Sequence, residues 1–449
     1  MESQNAKRTV IVGLGKTGLS CARYFHSRHR RVMVVDSRSA PPEMNALREL
    51  APEIEIRLGG FDVSVLEDAS EVIASPGVSL REPILQAAIT RNIPVIGDIE
   101  LFARCAQAPV IGITGTNGKS TVTTLVTLMA ERAGKRVLAG GNLGRPALNL
   151  VCDPVPDLYV LELSSYQLET THSLKLAAAA VLNVTPDHMD RYDTVDEYAQ
   201  AKARIFMHAD VAVVNADDPL TLAMPQTYEK YGRRVIDFSL RANSSALYTT
   251  THRDGEMTLL RHGVPLVGMS KLKVTGLHNA ANALAAFALC EALELDRAAC
   301  LDALRDFPGL PHRSQWIAES KGVNYIDDSK GTNVGATLAA VAGMQGPLVL
   351  IAGGQGKGQD FAPLAEAFRG KVRHVVLIGQ DAAHIAKVLS GVCGIDYAAD
   401  MRQAVRRAAQ AARPGDTVLL SPACASLDMF RDYGHRGDEF VAAIREELQ

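Results

Sequence analysis

The chain has 449 residues, of which 47% are hydrophobic and 22% are charged, and its formal net charge is −3. A chain of this length needs more than one hydrophobic core, so we expect two or three domains. The small negative charge argues against a general nucleic-acid binder, and the lack of a helix-length apolar run argues against a membrane span.

The sequence lacks the patterns of a signal peptide, a disulfide framework and a zinc site. The segment Met1–Arg8 is not followed by the apolar run of a signal peptide. The seven cysteines are scattered and form no Cys-x-x-Cys pair, which predicts neither a disulfide framework nor a zinc site. We therefore expect a cytoplasmic protein.

Apolar runs typical of strands alternate with helical patterns along the whole chain. The runs are continuous rather than alternating, which predicts strands buried on both faces and hence mostly parallel sheets in an α/β fold. The exception is Thr249–Val267, which predicts an antiparallel excursion with turns at Arg253-Asp-Gly and Arg261-His-Gly. The other predicted strands are Thr9–Val12, Val32–Val35, Val72–Ala74, Val110–Thr114, Tyr159–Leu163, Ala180–Asn183, Val211–Asn215, Leu348–Ala352, His374–Ile378 and Thr417–Leu420.

These elements fall into three blocks. The first ends near Pro94-Val-Ile-Gly97, and the third begins near Phe307-Pro-Gly-Leu-Pro-His312, a join rich in proline and glycine. We therefore expect three domains, over residues 1–97, 98–309 and 310–449.

The first block opens with a glycine-rich turn between a strand and a helix. The run Val10-Ile-Val-Gly-Leu-Gly-Lys-Thr-Gly18 is a G-x-G-x-x-G pattern, and Asp36 ends the next strand at the spacing of a ribose-binding acid. Taken alone, this pattern favours an NAD-dependent dehydrogenase. A helix N-terminus with close backbone approach would equally hold the diphosphate of a UDP-linked substrate, and a tight turn without a ligand is the third interpretation.

The second block opens with a phosphate-cradle pattern, Val110-Ile-Gly-Ile-Thr-Gly-Thr-Asn-Gly-Lys-Ser-Thr121. Its glycines let backbone N–H groups face one anion, Lys119 adds a positive charge, and Ser120 or Thr121 can hold Mg²⁺. The spacing departs from the strict P-loop, because Ile113 stands where the first glycine is required. A plain strand–helix turn is the alternative.

Acidic and imidazole groups follow later strands of the same block. Glu162 ends one predicted strand, and His188 follows another in Asn183-Val-Thr-Pro-Asp-His. Ligands of open α/β sheets bind at the carboxyl ends of strands, so Glu162 could meet Mg²⁺ near phosphates held by Lys119. Lys202, by contrast, has the pattern of a solvated helical lysine.

The string Gly115-Thr-Asn-Gly-Lys-Ser120 resembles the ATP-binding signature of the Mur ligase family, the ATP-dependent amide-forming enzymes of cell-wall precursor synthesis. Three strings in the last block are similar to those of members that add D-glutamate to UDP-N-acetylmuramoyl-L-alanine. They are Asp328-Ser-Lys-Gly-Thr-Asn333, Gly353-Gly-Gln-Gly-Lys357 and Ser421-Pro-Ala-Cys-Ala-Ser-Leu-Asp428.

The resemblance implies a Rossmann-like N-terminal domain for UDP, a P-loop-like central ATPase domain and a Rossmann-like C-terminal domain for the amino acid. It also implies that the reaction passes through an acyl phosphate. The implied partners are small-molecule substrates, with ATP and Mg²⁺ as cofactors, for a monomer that binds neither nucleic acid nor membrane.

The family's site residues are carried over position by position. The implied ATP contacts are Gly115, Thr116, Asn117, Gly118, Lys119, Ser120, Thr121, Asn279, Asn282, Arg313 and Asp328. The implied magnesium site is Ser120, Glu162, His188 and Lys202, with Lys202 carbamylated by CO₂; Lys119, Glu162, His188 and Lys202 are the implied catalytic residues.

The substrate contacts are implied in the same way. Those of the UDP-sugar are Lys16, Thr17, Ser37, Arg38, Gly77 and Asn142, with Ser37 in place of the family's threonine. Those of D-glutamate are Thr332, Lys357, Ser426 and Tyr433, with Tyr433 in place of a phenylalanine.

Two further alternatives are a related ligase and a protein without catalytic activity. A folylpolyglutamate synthetase would share the ligase core, but that family lacks a separate N-terminal UDP-binding domain. A non-catalytic nucleotide sensor would not need the combination of Lys119, Glu162, His188 and Lys202.

Overall fold

The computed structural model describes residues 7–224, 234–253, 255–274, 276–344 and 346–447. Within these ranges, three β-sheets follow one another along the chain, and helices pack against them. Alternate residues of a strand enter different cores: Val10 and Val12 belong to one apolar cluster and Ile11 to another. The sheets are therefore covered on both faces, as an α/β fold requires.

The first sheet is parallel throughout and has the order β3-β2-β1-β4-β5. The strands are β1 Arg8–Val12, β2 Val32–Asp36, β3 Glu55–Leu58, β4 Ala69–Ala74 and β5 Val95–Ile96. The helices are α1 Lys16–His26, α2 Met44–Leu50 and α3 Pro83–Thr90, with a 3₁₀ turn at Val63–Leu66.

The second sheet has the order β14-β13-β12-β11-β10-β9-β6-β8-β7, and only its β12–β13 and β13–β14 pairs are antiparallel. The strands are β6 Val110–Thr114, β7 Val137–Gly141, β8 Leu158–Glu162, β9 Ala178–Val181, β10 Val211–Asn215, β11 Arg234–Phe238, β12 Tyr248–Arg253, β13 Glu256–Arg261 and β14 Val264–Gly268. The helices are α4 Asp98–Ala103, α5 Lys119–Arg132, α6 Ala147–Leu150, α7 Ser165–Glu169, α8 Val195–Ala203, α9 Pro219–Ala223, α10 Leu277–Ala292 and α11 Arg297–Asp306, with 3₁₀ turns at Arg204–Phe206 and Met269–Lys271.

The third sheet has the order β15-β16-β20-β17-β18-β19, and its β15–β16 pair is antiparallel. The strands are β15 Gln315–Ser320, β16 Val323–Asp327, β17 Leu348–Gly353, β18 Val372–Ile378, β19 Gly394–Tyr397 and β20 Thr417–Leu420. The helices are α12 Val334–Gly343, α13 Ala362–Phe368, α14 Ala382–Leu389, α15 Met401–Ala411 and α16 Tyr433–Glu447.

The predicted strands are all present, with ends shifted by a few residues at most, and the mostly parallel α/β fold is confirmed. The antiparallel excursion is confirmed as β12–β14, although Asp254 of its first predicted turn lies outside the described residues. The first six residues, which belong to the segment considered above as a signal peptide, also lie outside the described residues. Among the described helices, none combines the length and the apolar character needed to cross a membrane.

Candidate active site

The phosphate-loop pattern lies where β6 passes into α5. Strand β6 is flanked by β8 and β9, so its carboxyl end opens at a point where the strand order reverses. Gly118, at the N-cap of α5, has a φ of +85°, and a Cβ there would lie 2.4 Å from Oδ1 of Asn282. Only glycine fits this position, because both the backbone conformation and the space exclude a side chain.

Hydrogen bonds from a neighbouring loop hold the phosphate loop in shape. The amide N–H of Asn117 donates to Oδ1 of Asn183 over 2.8 Å, and Nδ2 of Asn183 donates back to the carbonyl of Asn117 over 3.0 Å. Nζ of Lys119 donates to the carbonyls of Gly115 and Thr116, both over 2.8 Å, and burial lowers its pKa. The loop therefore presents a preformed anion cradle with its lysine folded against it.

Glu162 supplies an unsatisfied negative group beside this loop. Glu162 is 3% exposed, and its Oε1 accepts a hydrogen bond from Nδ2 of Asn142 over 2.6 Å. The other carboxylate oxygen, Oε2, is buried without a partner. A buried carboxylate oxygen of this kind requires a cation or a donor, and oxygen is the ligand that Mg²⁺ prefers.

Lys202 contradicts its sequence pattern, because it is buried rather than solvated. Only 1% of the residue is exposed, its Nζ donates to the carbonyl of Gly115 over 2.9 Å, and it lies 4.2 Å from the centre of the Tyr198 ring. Burial, reinforced by the nearby charge of Lys119, lowers the pKa of the Lys202 amine well below its ordinary value. The helical pattern concealed this burial because α8 turns this face toward the phosphate loop.

His188 lies in a strained loop with an acidic neighbour. Its backbone φ is +59°, and burial lowers the pKa of its imidazole to about 4 despite the adjacent Asp187 carboxylate. A neutral imidazole is the form that binds metals. Asp187 accepts a hydrogen bond from Nδ2 of Asn333 over 3.2 Å and has Nζ of Lys357 at 3.8 Å.

One cavity of about 270 Å³, called the larger cavity below, lies between the central and C-terminal domains at this point. It brings together the predicted catalytic residues of one domain and predicted amino-acid contacts of the other. Its polar lining includes Thr116, Asn117, Gly118, Lys119, Ser120, Asn142, Glu162, His188, Lys202, Arg313, Thr332 and Lys357.

A second cavity of about 260 Å³ adjoins the other side of the phosphate loop and is mainly apolar. Of the predicted ATP contacts, Asn117, Gly118, Thr121, Asn279, Asn282, Arg313 and Asp328 line it. Burial raises the pKa of Asp328 to about 7. A mainly apolar slot with amides and an acid at its rim suits a nucleoside.

The predicted UDP contacts of the N-terminal domain lie apart from both cavities, at the carboxyl ends of β1, β2 and β4. They are Lys16, Thr17, Ser37, Arg38 and Gly77, all exposed or half-buried. Asn142, predicted with them, lies instead beside Glu162.

Asp36 does not offer a free carboxylate for a ribose. Its Oδ2 accepts the N–H of Leu14 over 2.7 Å, and the Arg38 side chain binds both of its oxygens. Burial raises the pKa of this acid, but these hydrogen bonds outweigh it and bring the pKa to about 2. The residue therefore fastens the glycine-rich turn to the end of β2.

Ser426 and Tyr433 do not line either cavity. Ser426 is buried in the loop after β20, where its carbonyl accepts the N–H of Phe430 over 2.8 Å. Tyr433 begins α16, and Nζ of Lys330 lies 3.9 Å from the centre of its ring. Lys330 itself lines both cavities.

Seven residues that line the larger cavity were not predicted from the sequence: Ser164, Ser165, Tyr166, Asp187, Tyr198, Lys330 and Asn333. Two of them are chain neighbours of predicted residues. Asp187 directly precedes His188, and Asn333 ends the Asp328–Asn333 string. Adjacency to a predicted residue in a loop is therefore the signal that could have found these two.

Among the described residues, no group of three or more His, Cys, Asp or Glu side chains is arranged to hold a metal ion. The predicted magnesium site draws instead on Ser120 and on a modified Lys202, which such a group does not include. Glu162, with its unpartnered oxygen, and the neutral His188 fit that set.

Comparison with known families gives three consecutive matches. Residues 7–97 match the Mur ligase MurD-like N-terminal domain, residues 113–290 the Mur ligase middle domain, and residues 312–424 the Mur ligase glutamate ligase domain.

Curated relatives match over almost their full length. UDP-N-acetylmuramoylalanine--D-glutamate ligase of Nitrosococcus oceani is 52% identical over 100% of this chain and 98% of the relative. Its namesake in Methylobacillus flagellatus is 51% identical over 98% and 97%. Among solved structures, UDP-N-acetylmuramate-alanine ligase MurC of Thermotoga maritima has a TM-score of 0.62 at 20% identity, covering 98% of this chain and 100% of that one. This last likeness shows the shared fold.

Proposed function

The chain belongs to the Mur ligase family, and we propose that it joins D-glutamate to UDP-N-acetylmuramoyl-L-alanine with cleavage of ATP. The observation that carries the proposal is the cavity between two domains, where Lys119, Glu162 and Lys202 face Thr332 and Lys357. The names of the full-length relatives support the choice of substrates.

The proposed reaction has two steps. A carboxylate oxygen of the alanyl group attacks the γ-phosphorus of ATP, and the bond from this phosphorus to the bridging oxygen breaks. ADP is the leaving group, and an acyl phosphate is formed. The amine of D-glutamate then attacks the acyl carbon, loses a proton, and expels inorganic phosphate. Phosphoryl transfer depends on positioning and charge neutralisation, and Lys119 lies where it can supply both.

The nucleotide would occupy both cavities. The phosphate loop from Gly115 to Thr121 would hold the phosphates, and the mainly apolar cavity lined by Asn279, Asn282, Arg313 and Asp328 would take the nucleoside. The backbone N–H groups at the start of α5 favour the negative charge of the phosphates.

Mg²⁺ would be held by Ser120, Glu162, His188 and Lys202, the last as a carbamate. When bound, the ion neutralises phosphate charge. The unpartnered Oε2 of Glu162 supports the site. The amine of Lys202 is buried and its pKa is lowered, so it is available as the neutral nucleophile that CO₂ requires. Addition of this neutral amine to CO₂, with loss of a proton, would give an anionic carbamate whose oxygens can bind the ion.

The two other substrates would be held by the outer domains. Lys16, Thr17, Ser37, Arg38 and Gly77 would bind the UDP group at the strand ends of the first sheet, and Asn142 would meet the substrate near Glu162.

Thr332 and Lys357 would bind D-glutamate, supported by their place in the larger cavity. Ser426 and Tyr433 would contribute from the adjoining loop and the start of α16. Tyr433 packs against Lys330, which supports its place near this site.

We further propose that the enzyme acts as a cytoplasmic monomer with domains over residues 1–97, 98–309 and 310–449. The requirement for ATP supports the cytoplasm as the compartment. A dehydrogenase is less favoured, because Leu14 and Arg38 occupy the acid that NAD would need.

Phosphate release with each substrate omitted in turn tests the proposal. Turnover should require ATP, UDP-N-acetylmuramoyl-L-alanine and D-glutamate together, and L-glutamate should not replace the D-isomer. Sustained ATP cleavage without D-glutamate, or equal use of both isomers, would overturn the assignment.

A further inference from the structure

We propose that Asn333 is a positioning residue that couples seating of the C-terminal domain to the arrangement of the phosphate loop and Asp187. This inference rests on the proposed function and adds a residue to it. Asn333 belongs to the C-terminal domain, where it is the N-cap of α12, yet its side chain reaches two loops of the central domain.

The side chain of Asn333 uses all of its hydrogen-bonding capacity. Its Oδ1 accepts the N–H of Ala336 over 2.8 Å and Nδ2 of Asn117 over 3.3 Å. Its Nδ2 donates to Oδ1 of Asn117 and to Oδ2 of Asp187, both over 3.2 Å. An amide has one oxygen with two lone pairs and two N–H donors, so every site is filled.

This pattern requires an amide in one orientation. The N–H of Ala336 needs an acceptor, and the carboxylate of Asp187 needs a donor, so the oxygen and nitrogen of Asn333 cannot exchange places. The residue is 2% exposed, which makes each lost bond costly. A serine could still cap α12 but could not reach both loops, and an aspartate could cap it but has no donor.

The two partners of Asn333 are themselves parts of the site. Asn117 lies within the phosphate loop, and Asp187 lies beside Lys357 and directly before His188. The domains also approach closely here, since a Cβ on Gly335 would lie 2.8 Å from Oγ1 of Thr185. Asn333 therefore forms its full set of bonds only when the C-terminal domain is seated against both loops.

The consequence concerns the fate of the acyl phosphate. If the domain is not seated, water reaches the acyl carbon, its oxygen forms the new bond, and the bond to the phosphate oxygen breaks. This returns the original carboxylate and releases phosphate without product. Asn333 would suppress this side reaction by holding the amino-acid domain in place while the intermediate exists.

The test compares Asn333→Ser and Asn333→Asp with the full-length wild-type enzyme. We expect the rate of product formation to fall about tenfold or more in Asn333→Ser, the scale of one lost bond to a charged group, and further in Asn333→Asp, which sets a second carboxylate beside Asp187. Phosphate released per product formed should rise above one in both variants. Asp400→Ser, the same kind of exchange at the N-cap of α15, is the matched control and should behave as wild type.

If Asn333 served only to cap α12, both variants should keep the wild-type rate of product formation, because serine and aspartate cap helices about as well as asparagine. Wild-type rates and one phosphate per product in both variants would therefore overturn the proposal. Small-angle X-ray scattering supplies a readout that does not need activity: the radius of gyration should increase in both variants but not in Asp400→Ser. An unchanged radius would also contradict the coupling. Lack of D-glutamate-dependent turnover in the wild type would instead reject the proposed function.

Discussion

An ammonium group removed from water loses the hydration that stabilises its charge, and Lys202 is in that position. Its surroundings offer one carbonyl and one aromatic ring but no carboxylate within hydrogen-bonding distance among the contacts described for it. Burial therefore lowers the pKa of the Lys202 amine and shifts it toward the neutral form, which is the form that reacts with CO₂.

Lys202→Ala should reduce activity by about 100-fold or more, because the proposed metal ligand would be lost. Short carboxylic acids should restore part of it by supplying the missing carboxylate. Lys202→Arg is the control, since it keeps a cation but cannot be carbamylated, and it should be inactive without rescue.

Carbon-13 NMR with labelled bicarbonate tests the same residue without turnover. A carbamate signal should appear in the wild type and be absent from Lys202→Ala. Full activity of Lys202→Ala, or a carbamate signal that persists in it, would contradict the assignment.

Lys357 is one of the cations that the C-terminal domain brings to the larger cavity, and it lies on a glycine-rich loop after β17. Lys357→Ala should raise the KM for D-glutamate by about 10- to 150-fold, because a charge-assisted bond contributes about 1.5–3 kcal/mol. The KM values for ATP and the UDP-sugar should change far less.

Steady-state kinetics with each substrate varied in turn measures this selectivity. Lys387→Ala removes an exposed lysine from α14 of the same domain and should leave all three constants unchanged. Equal effects on the three constants in Lys357→Ala would remove Lys357 from the amino-acid site.

At the scale of elements, the turn between β1 and α1 shows which glycines the fold itself requires. A Cβ on Gly18 would lie 2.0 Å from the carbonyl oxygen of Gly13, so α1 could not approach β1 as closely. A Cβ on Gly15 would meet nothing within 4 Å, and its φ of −101° suits any residue. The two positions of one motif therefore differ in what they tolerate.

Gly18→Ala should destabilise the protein by about 1–3 kcal/mol and lower its melting temperature by several degrees, as overpacking does. Gly15→Ala, the matched variant, should melt close to wild type. Thermal unfolding followed by circular dichroism compares them, and equal melting temperatures would contradict this account of the turn.

The strands that the sequence predicted share one property, which is a continuous apolar run. Strand β6, Val110–Thr114, is buried throughout and was found with its bounds. Strand β3, Glu55-Ile-Arg-Leu58, is largely exposed at the edge of its sheet, so charged residues interrupt its pattern and it was missed. Local patterns therefore reveal strands that are buried along their whole length, whereas a strand whose apolar run is interrupted, such as β3, depends on a neighbouring strand to form.

The candidate site could be predicted from the sequence only where its residues lie close together in the chain. Loop motifs with fixed spacing, such as the phosphate loop, were recognisable because their chemistry lies within a few residues. The burial of Lys202 and the contacts of Asn333 were not, because they depend on loops that are distant in the chain: Lys202 bonds to Gly115, and Asn333 bonds to Asn117 and Asp187.

At the scale of the molecule, the first two domains share one buried apolar cluster, to which Phe25 of α1 and Phe102 of α4 both belong, and polar contacts add to it. Arg81 of the first domain pairs with Asp193 of the second over 2.7 Å between exposed side chains. Lys357 of the third approaches Asp187 of the second at 3.8 Å. The exposed pair of Arg81 and Asp193 contributes little stability, so the buried apolar cluster holds the first two domains together more than this pair does.

The most direct test of the central claim follows oxygen from the sugar peptide to phosphate. The enzyme is incubated with ATP, Mg²⁺, D-glutamate and UDP-N-acetylmuramoyl-L-alanine labelled with ¹⁸O in both carboxylate oxygens. The masses of the products are then measured by mass spectrometry. One ¹⁸O should appear in each inorganic phosphate and one should remain in the new amide, because the attacking oxygen stays on phosphorus. Unlabelled phosphate, or labelled phosphate without the D-glutamyl product, would contradict ligation through an acyl phosphate.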